Sequence, residues 1–166
     1  MQNIKDSFYV ALRDRLAALD PARTVFLGGQ VRPAILVREN EAPNDAPDAP
    51  GVFHLTWSEA QIEPATRSAQ RPLLELTCAV DYFVEGSEGA SYQDRGRMLD
   101  AMDTELLAIT SLASAALQDF STDPAADLGQ KITWSRPKFD SMQAEGRRVS
   151  RTASIRVMAF AEADLT

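Results

Sequence analysis

Apolar residues near the start of the chain recur every three or four positions. Polar residues fill the positions between them, so the apolar side chains are predicted to lie on one face of a helix. This helix is predicted to end at Asp20-Pro21, because the residue before a proline is pushed out of the α region. The apolar stripe consists of Ile4, Phe8, Leu12, Leu16 and Leu19.

Farther along the chain the apolar positions alternate, as they do in strands that have one buried face. The clearest alternation runs from Leu73 to Val84, where every second residue from Leu74 onward is apolar. A second long alternation ends the chain, and residues 140–146 are predicted to join it to the preceding strand as a hairpin connection. Strands are predicted over residues 34–38, 52–62, 73–84, 131–139 and 147–161.

Three other segments carry turn-forming or loop-forming residues. Residues 21–31 contain Gly28-Gly29 and are predicted to form a turn or a short strand pair. Residues 39–51 are acidic and hold three prolines, which predicts an exposed, mobile loop. Residues 111–130 are small and polar, and their front is predicted to continue a helix or to make a second short one.

A second helix is predicted over the stretch YQDRGRMLDAMDTEL, residues 92–106, which contains four acids. On a helix these acids are spread round the circumference, and only Asp100 and Asp103 are neighbours. Asp94 lies where an N-cap belongs, and Arg97 is spaced for a surface ion pair with Asp100. We therefore interpret the stretch as a capped amphipathic helix and not as a metal site. Its apolar stripe consists of Met98, Leu99, Met102, Leu106 and Ile109.

These elements predict an α+β fold made of one domain, residues 1–166. Hairpin connections favour a mainly antiparallel sheet, and two main helices packed on one face of it would complete a two-layer domain. The chain of 166 residues is long enough for a substantial core, and its 45% apolar and 25% charged residues are typical of a globular protein.

Composition and motifs argue against most kinds of chemistry. The net charge of −7 disfavours a nucleic-acid coat and a binder of anionic membranes. The single cysteine, Cys78, is predicted to be a buried, inert thiol with a raised pKa, and the single histidine, His54, a strand residue without a nucleophile motif. No cofactor and no metal are predicted. The absence of a signal peptide and of a long apolar run predicts a protein of a reducing cytoplasm.

The charges are distributed unevenly along the chain. Residues 39–63 hold six acids and no Lys or Arg, whereas residues 131–156 hold seven bases and two acids. These segments are either two solvated surfaces or complementary surfaces that meet head to tail between copies of the protein. Arg151 shares a strand face with Val149 and Ile155, where a lone buried charge is costly. A subunit interface, or a strand end that projects past the core, would remove that cost.

Several stretches in this order resemble a known family. The N-terminal helix and the acidic loop are followed by CAVDYFVEG, by YQDRGRMLDAMDTELLAI, by DPAADLGQKITWSRPKF and by a long last strand. Together they resemble the tail terminator, or tail-completion, proteins of long-tailed bacteriophages and prophages, the group that includes minor tail protein U. Two patterns carry the resemblance. They are DRGR-x-x-x-x-x-D over residues 94–103 and LG-x-x-I-x-W over residues 128–134. Residues 39–51 and 111–128 depart from it.

The resemblance implies a structural protein without catalytic residues. Such proteins are α+β domains that form a hexameric ring on the last ring of the tail tube, stop its growth and present the surface that joins the head. The implied partners are other copies of the chain, the tail tube protein and a head–neck connector protein, with no membrane and no specific nucleic acid. The implied location is the tail–neck junction of the virion, after assembly in the cytoplasm of the bacterial host.

Two alternatives stay open at this point. One is another neck protein, such as a head-closure or adaptor protein. The other is a small enzyme or ligand-binding domain that uses His54 or the acidic helix. For the assembly protein, the polar half of the second helix and the basic C-terminal hairpin are the predicted contacts with a neighbouring subunit or the tube. The candidate interface residues are Arg95, Arg97, Asp100, Arg136, Lys138, Arg147, Arg148 and Arg151.

Overall fold

The N-terminal helix has the predicted extent. In the computed structural model, which describes residues 1–39, 49–64, 71–86 and 92–161, helix α1 spans Gln2–Leu19. Four of the predicted stripe residues are buried, whereas Leu19 is 52% exposed. The backbone N–H of Asp20 donates to the carbonyl of Leu16, so the helix closes its last turn directly before Pro21.

A short hairpin follows α1, as the glycine pair predicts. Strands β1 (Thr24–Leu27) and β2 (Gln30–Pro33) are antiparallel and form a separate two-stranded sheet. Gly28 and Gly29 connect them with φ angles of 59° and 79°. Positive φ at both central residues is the conformation of a type I′ turn, which favours glycine and matches the twist of a hairpin.

Within the part of the chain that the structure describes, the remaining nine strands form one sheet in which β6 and β11 lie at the centre. These two strands pair along their whole length, from Glu85 opposite Arg148 to Leu73 opposite Phe160. The main order across the sheet is β3-β4-β6-β11-β8-β7, while β5 pairs with β6 and both β9 and β10 pair with β11. The strands are β3 Ile35–Val37, β4 Phe53–Trp57, β5 Gln61–Ile62, β6 Leu73–Glu85, β7 Ser114–Asp119, β8 Ala126–Trp134, β9 Lys138–Phe139, β10 Gln143–Glu145 and β11 Arg148–Phe160.

The α+β class is confirmed, but the prediction of a mainly antiparallel sheet needs a correction. Strands β3 and β4 run parallel, with Ile35 opposite Phe53, so the sheet is mixed. A parallel pair cannot be joined by a hairpin and needs a long crossover connection. Residues 38–52 make that connection. Most of the loop predicted at 39–51 belongs to it, and residues 40–48 lie outside the described part of the chain.

The helical prediction for the front of residues 111–130 is wrong. Strand β7 begins at Ser114 and pairs with β8 as an antiparallel hairpin that contains a register shift after Ala116. The alanines of this segment favour a helix locally, but pairing with β8 and the full burial of Leu117 outweigh that preference. In the connecting loop, hydrogen bonds from Ser121 hold the pKa of Asp119 below its usual range.

Two of the predicted strands are interrupted. The segment predicted over residues 52–62 forms β4 and β5, which pair with different parts of β6. The segment predicted over residues 131–139 contains the end of β8 and all of β9, and both pair with β11. Pro137 lies in the gap between β8 and β9, where its missing N–H interrupts no ladder.

Side chains from α1, from the sheet and from the second helix share one core. Phe8 of α1 lies at its centre and contacts Trp57 and Trp134 edge to face, at ring-centroid distances of 5.5 and 5.2 Å. A smaller cluster lies under the β1–β2 hairpin, where Val25 and Leu27 pack against buried apolar residues of the β3–β4 region. Those buried residues are Ala34, Leu36 and Val52.

The second helix, α2, spans Tyr92–Ile109 and corrects two details of the sequence analysis. Asp94 lies within the first turn and is not the N-cap residue, although a carboxylate there still faces the positive end of the helix dipole. Met98 is 47% exposed and does not belong to the buried stripe, whereas Asp103 is buried at 8% exposure. The core-facing side of α2 therefore includes one charged residue.

Arg15 connects the ends of the two helices. Its guanidinium donates hydrogen bonds to the carbonyls of Ile109, Leu112 and Ser114, at 3.0, 2.6 and 3.0 Å, and lies 5.0 Å from the ring centre of Trp134. Partial burial lowers the pKa of Arg15. These carbonyls belong to the end of α2 and the start of β7, where the helix itself leaves acceptors unpaired.

Replacement of Arg15 by Met is expected to lower the free energy of unfolding by about 1–3 kcal/mol, because it leaves carbonyl acceptors without a charged donor. Urea denaturation followed by circular dichroism measures the change. Arg13→Met is the matched control, since Arg13 lies on the same helix and its guanidinium pairs with its exposed neighbour Asp14. Equal, small changes for both variants would show that the Arg15 contacts contribute little.

Candidate functional site

The predicted interface residues on α2 do not form one free polar face. Arg95 is half-buried and donates a hydrogen bond to the carbonyl of Gly146. Arg97 is exposed and lies 3.5 Å from Asp94, so the predicted pair with Asp100 is replaced by one on the preceding turn. Asp100 is exposed. Arg95 thus fastens the start of α2 to the β10–β11 turn within one chain.

The basic residues of the C-terminal hairpin lie at two separate places. Arg147 and Arg148 are exposed at the tight turn between β10 and β11, and the Arg148 guanidinium lies 3.7 Å from the ring centre of Phe83. Arg136 and Lys138 are also exposed, but Lys138 lies opposite Ser154. At 3.3 Å per residue, Ser154 lies about 20 Å along β11 from Arg148 at the turn.

The candidate interface residues therefore divide into groups. The contact of Arg95 with Gly146 brings the start of α2 next to Arg147 and Arg148, and these residues form one basic edge of the molecule. Arg136 and Lys138 belong to a different part of the surface. The sequence analysis grouped them because they share a charge and a chain segment, which does not determine distance in space.

Arg151 forms an ion pair with Asp103 of its own chain. Its Nη1 lies 3.4 Å from Oδ2 of Asp103, and the Tyr82 hydroxyl donates to Oδ1 of the same carboxylate. The side chains of Arg151 and Asp103 are 24% and 12% exposed. The charge of Arg151 is therefore balanced within the chain, by α2, and needs neither a subunit interface nor a projecting strand end.

The Tyr82–Asp103–Arg151 network is a structural element of the core. Burial, and then the hydrogen bond to Asp103, raises the pKa of Tyr82, so its hydroxyl stays protonated and can donate. Both carboxylate oxygens of Asp103 have a donor, which offsets the cost of burying the charge. The network joins α2 to the two central strands β6 and β11. It leaves no acid or base poised for catalysis.

A polar cleft of about 280 Å³ is lined by residues of β4, β6 and β11, among them His54, Asp81 and Thr152. His54 of β4 lies opposite Asp81 of β6, and Thr152 of β11 donates a 2.6 Å hydrogen bond to Asp81 Oδ1. In a nucleophilic triad the histidine must lie between the hydroxyl and the carboxylate. Here the carboxylate lies between the other two groups and accepts the hydrogen bond of the hydroxyl, so His54 is not placed to take the proton of Thr152.

The other candidate groups have structural environments. Cys78 is fully buried on the core face of β6, so the prediction of a buried cysteine is confirmed, and burial raises the pKa of its thiol. Within residues 1–39, 49–64, 71–86 and 92–161, no three His, Cys, Asp or Glu side chains gather as a metal site. In those same ranges, no helix is long and apolar enough to cross a membrane.

Several of the exposed large apolar side chains belong to two surfaces that the sequence analysis missed. On the β1–β2 hairpin, Phe26 is 72% exposed and lies opposite Val31, which is 69% exposed. At the carboxyl ends of the two helices, Leu112 is 71% exposed and Leu19 is 52% exposed. Val25, Phe26 and Leu27 are all apolar, so the sequence carries no alternation that would show Phe26 to face outward.

The geometry therefore offers a basic edge, a polar cleft and two apolar surfaces as candidate functional regions. Compared with known protein families and with curated proteins, the chain has no match.

Proposed function

We propose that the chain is a structural assembly protein that acts as a bacteriophage tail terminator. In this proposal, copies of the chain form a ring, a hexamer by the family resemblance, that caps the tail tube and stops its growth. The ring then presents the surface to which a head–neck connector protein binds. The proposal includes the two-layer arrangement with both helices on one face of the sheet, and it assigns no catalytic residue and no cofactor.

The observation that carries the proposal is the exposed apolar surface of Phe26, Val31 and Leu112, each about 70% exposed. Large apolar side chains that stay exposed in clusters are typical of surfaces that bind another protein. The Tyr82–Asp103–Arg151 network is compatible with the same proposal, because its carboxylate and guanidinium are paired with each other within the chain. The choice of a tail terminator among assembly proteins comes from the resemblance described above.

The test is electron microscopy of the protein mixed with its cognate tail tubes. The proposed protein is expected to bind one end of each tube as a ring and to prevent elongation when tube subunits are added. Tubes that continue to grow with unmodified ends would contradict the proposal. A ring found only on the connector side would favour the other neck protein.

Charge reversal of Arg147 and Arg148 to Glu is expected to reduce the fraction of capped tube ends by about tenfold, since two exposed contacts of about 0.7 kcal/mol each are lost. The monomer should stay folded, with a stability loss of about 1 kcal/mol at most from the lost contact of Arg148 with the ring of Phe83. Arg151 is left intact, because Glu at that position would face Asp103 inside the protein. Lys131→Glu with Arg71→Glu is the matched control, as both residues are exposed and outside the basic edge. Equal capping by both double variants would exclude the basic edge from the interface.

The polar cleft supports a second candidate function, the binding of a small polar ligand. Its lining combines Arg38, Asp140 and Arg148 with His54 and Asp81, which is the mixture of charged groups that fixes a polar molecule in place. Its volume of about 280 Å³ is at the lower end for small-molecule sites. A screen of small metabolites by thermal shift tests it, and a stabilisation that His54→Ala abolishes would favour this function.

A further inference from the structure

The polar cleft has a floor of polar side chains on the central strands. His54, Asp81 and Thr152 lie directly opposite one another on β4, β6 and β11, so their side chains share one face of the sheet. His54 is buried at 4% exposure, and Asp81 is half-buried. The hydroxyl of Thr152 donates to Oδ1 of Asp81 at 2.6 Å and orients the carboxylate. The floor therefore presents a held carboxylate to the cleft.

A positive charge lies at the other end of the floor. Phe83 follows Asp81 by two residues on β6, so the two side chains share a face, and their positions are about 7 Å apart at 3.3 Å per residue. The Arg148 guanidinium lies 3.7 Å from the ring centre of Phe83, and this contact keeps the charge over that ring. A guanidinium has five N–H donors in a planar fork that matches a carboxylate, so it can bind one while it keeps other contacts.

The charges of the cleft lining include both signs. Arg151 is among the lining residues, but its guanidinium is paired with Asp103. A ligand with a single charge would meet a group of like charge in this cleft, whereas a ligand with one positive and one negative group meets an opposite charge at each end. The other Arg and Asp residues of the lining are Arg38, Arg148, Asp81 and Asp140.

We propose that the cleft binds a small zwitterion of the α-amino-acid type, with its ammonium on Asp81 and its carboxylate on the Arg148 guanidinium. The inference rests on the second candidate function, the binding of a small polar ligand, and names the class of that ligand. In such a molecule both charged groups are attached to one carbon, and a charge-assisted hydrogen bond of about 2.8 Å at each end lets it span the distance between Asp81 and Arg148. The volume of about 280 Å³ lies just below the range of about 300–1,000 Å³ for pockets that hold drug-sized ligands, which suits a molecule of this size.

The remaining lining indicates which side chain the ligand carries. Ser141, Gln143 and Ser150 contribute hydroxyl and amide groups to the cleft. An aliphatic side chain would displace water from these groups without replacing its hydrogen bonds, whereas an uncharged polar side chain can replace them. Free glutamine is therefore the probe for this cleft.

An NMR titration of the protein tests the inference with glutamine and two derivatives. N-acetylglutamine lacks the ammonium, and the α-amide of glutamine lacks the carboxylate. Glutamine is expected to shift the backbone amide signals of the cleft residues, with a dissociation constant of about 1 mM or below. Each derivative should bind at least about tenfold more weakly, which is the loss expected for one charge-assisted hydrogen bond.

Two substitutions assign the two ends of the ligand. Asp81→Asn keeps an acceptor for Thr152 and removes the negative charge, so it should weaken glutamine at least about tenfold without weakening N-acetylglutamine. Arg148→Gln should weaken glutamine to a similar extent without weakening the α-amide. Asp127→Asn and Arg97→Gln are the matched controls, because both residues are exposed and do not line the cleft. Circular dichroism establishes that each variant is folded.

Glutamine binding that neither Asp81→Asn nor Arg148→Gln weakens would overturn the inference, and so would the absence of shifts at about 10 mM glutamine. If the thermal-shift screen then still finds a polar ligand that requires His54, the second candidate function stands without the zwitterion. If that screen finds no ligand either, both the inference and the second candidate function fail. The tail terminator function is decided separately, by the capping of tail tubes.

Discussion

Replacement of Asp103 by Ala is expected to lower the free energy of unfolding by about 3 kcal/mol. The substitution removes the carboxylate that pairs with Arg151 and accepts the hydrogen bond of Tyr82. A guanidinium and a hydroxyl would then remain in the core with only partial access to water. Leaving one charge of a buried pair uncompensated costs more than removing the whole pair, which makes this one of the largest expected effects in the molecule.

Urea denaturation of Asp103→Ala and Asp100→Ala measures the effect against a matched control. Both residues are aspartates on the same helix, but Asp100 is exposed. The control should change the free energy of unfolding by less than about 0.5 kcal/mol. The double replacement Asp103→Leu with Arg151→Met should recover most of the lost stability, because two apolar groups replace two charges. Similar, small losses for both single aspartate variants would contradict the role of the network.

The same network shows what the sequence could and could not predict. The alternation in β11 indicated that Arg151 faces the core, and the spacing in α2 indicated a helix with its apolar residues on one side. The pairing between them depends on how α2 is rotated over the sheet. Helix α2 packs against β6 and β11 in an orientation that exposes Met98 to solvent and buries Asp103. No periodicity within α2 distinguishes the two rotations.

The sequence predicted some of the strands and missed others. Local alternation predicted β6 and β11 closely, since each is long and has one buried face. It missed β7, because Ser114–Asp119 contains alanines that suit a helix and only pairing with β8 makes the segment extended. It also missed the parallel pairing of β3 with β4, since the direction of a short strand is set by its neighbours and by the crossover.

The candidate interface was predicted by charge, which does not show where its residues lie. Arg147 and Arg148 lie exposed at one edge, with the Arg148 guanidinium over the ring of Phe83, whereas Arg95 donates to the Gly146 carbonyl and Arg151 pairs with Asp103. The apolar pair on the β1–β2 hairpin was not recognised, because a strand this short offers too few residues on each face to reveal an alternation. Only the exposed fractions of the two side chains, 0% for Phe8 and 72% for Phe26, show which one belongs to the core.

Phe8 is the site of the second large expected effect. Phe8→Ala is expected to lower the free energy of unfolding by about 3–5 kcal/mol, the range for deleting a fully buried Phe side chain. The ring of Phe8 has no exposed surface and fills the space between Trp57 and Trp134. Its removal forfeits two edge-to-face contacts and leaves a cavity that two indoles cannot easily close.

Phe26→Ala is the matched control for Phe8→Ala, because the same atoms are removed from a side chain that is 72% exposed. We expect it to change the free energy of unfolding by less than about 0.5 kcal/mol. Guanidinium denaturation gives both stabilities. A large loss of stability in Phe26→Ala would mean that the Phe26 side chain packs against its own chain, and it would contradict the exposure of Phe26.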